Sequence, residues 1–248
     1  MRMHLLALAT ALSLFALPAV ATAQDTTSDK GKTSYALGYR AGLDIANVLA
    51  SGEQLDMQAV IKGLQDAAAR KDPAVPGDQL GAAIQALQAR MTARMKAELE
   101  RRAADNKTKG DAFLAQNRAK PGVNVLPSGV QYRVLEAGNG AKPTQQNQVT
   151  LEFRSTLPDG TVVSDTNMAS EGQPAGPVTV RLSEIPLPGL REALQQMPAG
   201  ARWEVVIPGS AAYGTSIDQA REMANQLVIF NIKLVSVGPV VAAPNAGG

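Results

Sequence analysis

The chain has no cysteine, and its single histidine is His4. The absence of cysteine excludes disulfides, thiol redox chemistry and cysteine zinc sites. If His4 is removed with a leader, the mature chain also lacks Ser-His-Asp catalysis and histidine-ligated metals. It then lacks the side chain best suited to proton transfer near neutral pH. We therefore expect neither a metal site nor a cofactor.

Aromatic residues make up only 4% of the 248 residues and charged residues 19%, whereas 45% are hydrophobic. That hydrophobic share is enough for a buried core, so the chain is not disordered overall. The net charge of +2, from 24 basic and 22 acidic residues, gives no global attraction for nucleic acid. Nucleotide-binding GxGxxG and Walker patterns are absent. No two carboxylates are marked as a glycosidase-type pair.

The first 23 residues have the pattern of a secretory signal. Arg2 supplies a positive start, an apolar run broken by Pro18 follows, and the residues at 21–23 form a small-residue cleavage site. We predict cleavage after Ala23 and a periplasmic mature chain without a membrane span. An uncleaved membrane anchor is the alternative, although the uninterrupted apolar run is short for a span of about 20 residues.

The segment from Ser34 to about Lys120 has a helical texture, after a polar and loose stretch over 24–33. Apolar residues recur at three- and four-residue steps along the first helix: Tyr35, Tyr39, Leu43, Ala46 and Leu49. This strip has too little chain around it to be buried within one protomer, so we predict a homodimer through the N-terminal helices. A second helix is predicted after Asp56 as N-cap.

A third helix is predicted from about Asp78. Residues 84–120 contain nine lysines and arginines against four acidic residues. A solvated helix face is the ordinary explanation of such a charge run, and contact with a membrane or nucleic acid is the alternative.

After Pro121 the period changes to that of β-strands, with short β-branched alternating runs separated by turn signals. One short helix, at 189–196, lies among them. The fold class is therefore α+β, with a helical domain, a long helix and an antiparallel sheet wrapped on a short helix. We predict a signal peptide over 1–23, a helical dimerisation domain over 24–77, a connecting helix over 78–120, a sheet domain over 121–238 and a disordered tail over 239–248.

Four motifs in order resemble the FKBP-type peptidyl-prolyl cis-trans isomerases: PSGVQYRVLEAGNGAKP at 127–143, VTLEFRSTLPDGTVV at 149–163, LPGLREALQQMPAGARWEVVIPGSAAYG at 187–214 and LVIFNIKLVSV at 227–237. YALGYRAG at 35–42 and DAFLAQN at 111–117 are similar to the macrophage infectivity potentiator branch, which is exported and has a helical dimerisation domain. The resemblance implies an isomerase fold over the sheet domain and proline-containing or unfolded polypeptides as partners.

The resemblance also implies a site. Tyr213 of the AYG turn is the candidate donor to the substrate carbonyl, Leu187 supplies a backbone N–H, and Phe153 forms an aromatic wall. Asp165 is the candidate for the acidic group at the rim. The substrate-binding residues implied are Val163, Val178, Leu190, Ala212 and Phe230.

Three positions depart from the family pattern. Val163 replaces a phenylalanine, Leu190 replaces the tryptophan of the cleft floor, and Ser164 occupies the position of the family's aspartate. Asp165 is one step further, and one step along a strand points to the other face. Two functions remain open: a weak isomerase that assists folding of secreted proteins, and a non-catalytic periplasmic chaperone or partner-binding module with the same fold.

Overall fold

The computed structural model describes residues 25–169 and 174–240. The predicted leader over 1–23 lies outside the described residues. The chain divides into two compact units, of which the first ends at Leu80 and the second begins at Gly81. Within the described residues, no helix is long and apolar enough to cross a membrane.

The described helices are α1 (Asp29–Ala50), α2 (Met57–Ala68), α3 (Gly77–Arg118), α4 (Pro188–Gln196) and α5 (Ile217–Ala220). Ser28 caps α1 by accepting a hydrogen bond from the N–H of Gly31, so this helix begins before the expected Ser34. Asp56 caps α2 by accepting from two N–H groups of its first turn, as predicted. Single 3-10 turns occupy Leu182–Glu184, Gly209–Ala211 and Arg221–Met223.

Many large apolar side chains of the first unit are exposed. Tyr35 is 60% exposed, Tyr39 58% and Leu43 50%, and the two tyrosine rings stack with their centroids 5.9 Å apart. A crevice of about 490 Å³ lies between α2 and the segment that follows it. Over residues 25–80, only Gly31 and Glu53 are buried.

Helix α3 has 42 residues and passes through Gly110 without interruption. Gly110 is buried, and a Cβ there would contact the side chain of Leu227. The basic run on this helix is largely paired within the helix, because Arg101 contacts Glu98 and Asp105 at 2.7 and 3.0 Å. The hydrogen bonds from Arg101 and its neighbour lower the pKa of Glu98 to about 2. These pairs are those of a solvated helix face.

The second unit is built on an antiparallel sheet. The strands are β1 (Val123–Val125), β2 (Gln131–Glu136), β3 (Asn147–Thr156), β4 (Val162–Asp165), β5 (Val178–Arg181), β6 (Arg202–Ile207) and β7 (Val228–Val240). Their order within the described residues is β1-β2-β6-β7-β3-β4, and β5 also pairs with β3. Two tail residues, Pro239 and Val240, belong to β7, because Val240 pairs with Asn147 of β3. The expectation of a disordered tail from 239 is therefore wrong for these two residues.

Alternation along the strands builds the core. Trp203, Val205 and Ile207 of β6 face inward, and every second residue of β7 from Val228 to Leu234 is buried. Helix α4 contributes Leu190, Ala193 and Leu194 to the same core. Trp203 stacks on Tyr132 with the centroids 4.3 Å apart. The single tryptophan is thus a core residue.

Candidate functional site

An apolar cleft of about 260 Å³ opens on the inner face of the sheet, between the strands, the segment before α4 and the turn that holds Tyr213. Its lining includes these residues predicted from the sequence: Phe153, Val163, Val178, Leu187, Leu190, Tyr213 and Phe230. They are distant in the chain, and the sheet brings them together. Ala212 is buried beside Tyr213 but does not line the cleft.

Two phenylalanines form the aromatic part of the wall. Phe153 lies on β3 and Phe230 on β7, and these strands pair side by side with Ser155 opposite Phe230. Odd-numbered residues of β3 and even-numbered residues of β7 point to the same face, so both rings enter the cleft. Their centroids are 5.6 Å apart with the planes tilted by 55°. This geometry is a favourable one for aromatic pairs.

Tyr213 follows the 3-10 turn at 209–211 and is half-buried. Burial raises the pKa of its hydroxyl above the ordinary value of a tyrosine. Among the described residues, no group forms a hydrogen bond with this hydroxyl. The hydroxyl therefore keeps its proton and is available to donate into the cleft.

Leu187 is the N-cap residue of α4 and lies between Pro186 and Pro188. Its carbonyl accepts the first hydrogen bonds of the helix, from Leu190 and Arg191 at 3.1 Å each. The described backbone hydrogen bonds do not use its N–H as a donor. The two prolines restrict the backbone on either side, so this N–H is held next to the cleft with no partner of its own.

The segment before α4 is fixed from the helix. The guanidinium of Arg191 donates a hydrogen bond to the carbonyl of Ile185, another residue of the cleft lining. Arg191 is therefore a side chain outside the cleft that orients its edge.

Asp165 does not line the cleft, contrary to its assignment as a candidate catalytic residue. On β4 it pairs with Arg154, an outward residue of β3, and its carboxylate lies 3.9 Å from the Arg154 Nε. It also accepts hydrogen bonds from the backbone and side chain of Asn167 at 2.9 and 3.0 Å. The pleat directs it to a separate polar crevice on the outer face of the sheet.

Ser164 occupies the inward position instead. It pairs with Ser155 of β3 and lines the cleft, and the Ser155 hydroxyl donates to the Ser164 carbonyl at 3.3 Å. A neutral hydroxyl thus stands where the family pattern places a carboxylate.

The carboxylate found in the cleft lining is that of Glu184, which sequence reasoning did not assign to the site. Glu184 is exposed and lies 3.8 Å from Arg181 across its own 3-10 turn. The other lining residues that sequence reasoning missed are Leu151, Ser155, Ser164, Val180, Ile185 and Pro186. Alternation along β3 and β5 could have found Leu151, Ser155 and Val180, since they share a face with assigned residues.

The cleft lining is mainly apolar. Within the described residues, no group of three or more histidine, cysteine or acidic side chains could hold a metal ion. The cleft lining offers an apolar wall, three hydroxyls (Ser155, Ser164 and Tyr213), the exposed carboxylate of Glu184 and the backbone N–H of Leu187.

Comparison with known proteins places this geometry in a family. Residues 30–134 match the family described as "Domain amino terminal to FKBP-type peptidyl-prolyl isomerase", and residues 139–235 match "FKBP-type peptidyl-prolyl cis-trans isomerase". The chain is 38% identical to an outer membrane protein MIP of Legionella longbeachae, over 91% of this chain and 93% of that protein. The chain belongs to the FKBP-type peptidyl-prolyl cis-trans isomerases.

Two further comparisons agree. The chain is 31% identical to the FKBP-type isomerase FkpA of Escherichia coli over 91% of this chain and 83% of that protein. The crystal structure of FkpA from Escherichia coli matches with a TM-score of 0.67 at 30% identity, covering 86% of this chain and 98% of that one. The α+β fold and the isomerase activity expected from the resemblance are thereby confirmed.

Proposed function

We propose that this FKBP-type isomerase is an exported folding helper that turns X–Pro bonds of client polypeptides in the apolar cleft, at a rate reduced by its substituted lining. The observation that carries the proposal is the meeting of Phe153, Phe230 and Tyr213 beside the unpaired N–H of Leu187.

The chemistry requires little of the protein. Rotation about a peptide bond is opposed by a barrier of about 18–20 kcal/mol because amide resonance is lost. A cleft that binds the twisted amide better than the planar one lowers this barrier. The apolar wall desolvates the amide, which weakens its charge-separated planar form. Tyr213 and the Leu187 N–H then hold the substrate's carbonyl oxygens as the bond turns.

Three substitutions reduce the rate. Val163 and Leu190 present less apolar surface to a proline ring than the aromatic residues of the family pattern. Ser164 supplies no charge near the turning carbonyl, and the carboxylate of Asp165 lies on the opposite face of the sheet. Each change removes contact that the twisted amide would gain.

Export and dimerisation are supported by two separate features of the chain. The leader pattern over 1–23 supports export and cleavage after Ala23, and the name of the Legionella relative as an outer membrane protein is compatible with this. The exposed strip of Tyr35, Tyr39 and Leu43 supports a homodimer through the helical unit.

The test is an isomerisation assay on the mature chain with a model X–Pro peptide. We expect measurable catalysis that Phe153→Ala abolishes and Asp165→Asn leaves unchanged, because only the first residue lines the cleft. Equal activity of the parent chain and Phe153→Ala would show that the cleft is not the site.

A chaperone or partner-binding role beside the isomerase activity is the second candidate, and the apolar crevice beside α2 favours it. Equal suppression of client aggregation by the parent chain and by the Phe153→Ala variant, which should lack isomerisation, would support this role.

A further inference from the structure

The loop that follows Tyr213, residues 214–226, is tied together at its two ends. We call it the Tyr213 loop. The N–H of Asn225 donates to the carbonyl of Gly214 at 2.8 Å, and the N–H of Gly214 donates to the carbonyl of Gly209 at 2.9 Å. Gly209 packs so closely that a Cβ there would lie 2.2 Å from the carbonyl carbon of Asn225. Asn225 is therefore hydrogen-bonded to Gly214, which follows Tyr213, and packs against Gly209, which precedes it.

Helix α3 holds the same end of the loop through two side-chain amides. The Asn225 side chain donates to the carbonyl of Ala103 at 3.2 Å. In the opposite direction, the Asn106 side chain donates to the carbonyls of Ala224 and Glu222 at 3.0 and 3.2 Å. The two asparagines thus form a reciprocal clamp between α3 and the loop.

The clamp lies at buried carbonyls and at a residue with an unusual backbone conformation, so its loss should carry an energetic cost. Ala224 is fully buried and Ala103 is 7% exposed, so two of the three acceptor carbonyls lie in or next to packed surface. A buried carbonyl that loses its donor carries a desolvation cost. Asn225 has φ of +58°, a left-handed conformation that asparagine tolerates better than most residues. Asn225 therefore contributes both a side-chain hydrogen bond to Ala103 and the left-handed backbone conformation that this turn requires.

We infer that Asn106 and Asn225 are positioning residues for the isomerase reaction: through the Tyr213 loop, helix α3 holds the hydroxyl of Tyr213 in the cleft. The route is short, from the Asn106 amide to Ala224, from Asn225 to Gly214, and from Gly214 to the adjacent Tyr213. The inference rests on the proposed donor role of Tyr213. It makes α3 a working part of the isomerase unit and not only a connection.

The test compares Asn106→Ala and Asn225→Gly with Asn124→Ala in the full mature chain. Glycine keeps the left-handed backbone at 225 while removing the amide. Asn124 is the matched control, since its exposed amide donates only to the nearby Gly122 carbonyl. The readouts are kcat/KM on an X–Pro peptide, the ¹³C ring shift of Tyr213 and the hydrogen exchange of residues 214–226. Only four tyrosines are present, and Tyr213→Phe assigns the signal.

We expect each clamp variant to lower kcat/KM by about three- to tenfold, the effect of one neutral hydrogen bond. We also expect each to shift the Tyr213 signal and to speed exchange in the loop. The double variant should lose less than the product of the two single losses, because the amides act on one loop. Asn124→Ala should match the parent.

The inference is overturned if both clamp variants keep the kcat/KM and the Tyr213 shift of Asn124→Ala and lose only melting temperature. In that case the two amides attach helix α3 to the Tyr213 loop for stability and do not position the Tyr213 hydroxyl. If the parent chain proves inactive, the proposed catalytic function fails, and the Tyr213 shift and loop exchange still decide whether the clamp exists.

Discussion

The two units treat apolar side chains in opposite ways. In residues 25–80, the buried residues are a glycine and a glutamate, and Ile61 and Leu64 of α2 are 50% and 51% exposed. In the second unit, Leu182, Leu194 and Met197 are fully buried together with the inner faces of β3, β6 and β7. Burial of apolar area is the main favourable term in folding. The second unit therefore contains what it needs for its own stability, whereas the first needs another surface.

The largest expected effect is on the helical unit. Leu43→Asp places a charge on the exposed strip of α1, where we propose that a second copy packs. Each dimer would lose two buried leucines at about 1.5–3 kcal/mol each, so the dimer dissociation constant should rise at least about a hundredfold. Light scattering across a dilution series measures it.

The control is Ser34→Asp, which adds the same charge on the opposite side of α1, since nine residues at about 100° each make two and a half turns. It should remain dimeric. A parent chain that is monomeric at all concentrations would show that no second copy covers the exposed strip of the first unit.

A pair of truncations tests the second unit. A chain that begins at Gly81 should unfold cooperatively and retain isomerase activity, because the buried residues of α3 remain. A chain that begins at Pro121, at the predicted domain boundary, leaves the buried Gln131 amide without its partners Asn117 and Leu114. It also uncovers Leu227, which packs at Gly110.

The expected loss of unfolding free energy in the shorter chain is about 3 kcal/mol or more, from the orphaned amide and the exposed leucine. Urea denaturation of the two chains measures the difference. Equal stabilities would mean that α3 adds nothing to the second unit and that its buried contacts are incidental.

Much of the fold could be predicted because two periods mark it. The three- and four-residue spacing predicted the helices, and the change to short alternating runs after Pro121 predicted the antiparallel sheet. The three residues of strand β1 are too few to show alternation. The end of β7 was assigned to the tail from Pro239 onward, whereas Asn147 on β3 holds the adjoining backbone by donating to the Gly238 carbonyl.

The cleft offers a finer comparison inside the second unit. Val163 is 41% exposed at its edge, whereas Leu190 is 5% exposed and belongs to the core. Val163→Phe should therefore raise kcat/KM on an X–Pro peptide about fivefold, as roughly 40 Å² of added apolar contact would do. Leu190→Trp should gain less, because overpacking costs about 1–3 kcal/mol.

Tyr213→Phe, added to Val163→Phe, is the matched control and should remove part of the gain, since it deletes the hydroxyl with little change of shape. If Val163→Phe folds like the parent and is no more active, the width of the cleft is not what limits the rate. That outcome would favour the chaperone or partner-binding role as the main function.

The candidate site was predicted where chain position alone decides and missed where the pleat or packing decides. Tyr213 and Leu187 follow from local motifs. The assignment of Asp165 to the cleft was wrong, because a shift of one residue along β4 turns its carboxylate to the outer face of the sheet. Glu184 could not be assigned from the sequence, because only the packing of its 3-10 turn against β3 and β5 brings it to the cleft.

The smallest expected effect is that of pH. The described residues contain no histidine or cysteine, so no side chain there has an ordinary pKa between about 6 and 8. Burial raises the pKa of Tyr213, which means that the folded state holds this proton more tightly than the unfolded state. The contribution of the neutral hydroxyl to stability and catalysis is thus fully present below about pH 10 and is lost as the pH rises through the higher pKa of the folded chain.

We expect kcat/KM to be flat from about pH 6 to 8 and to fall only above about pH 10. The parent and Tyr213→Phe, measured in parallel, separate the loss of this proton from general unfolding. A bell-shaped profile near neutrality would mean that a proton moves in the rate-limiting step, and the mechanism of a cleft that only twists the amide would have to be abandoned.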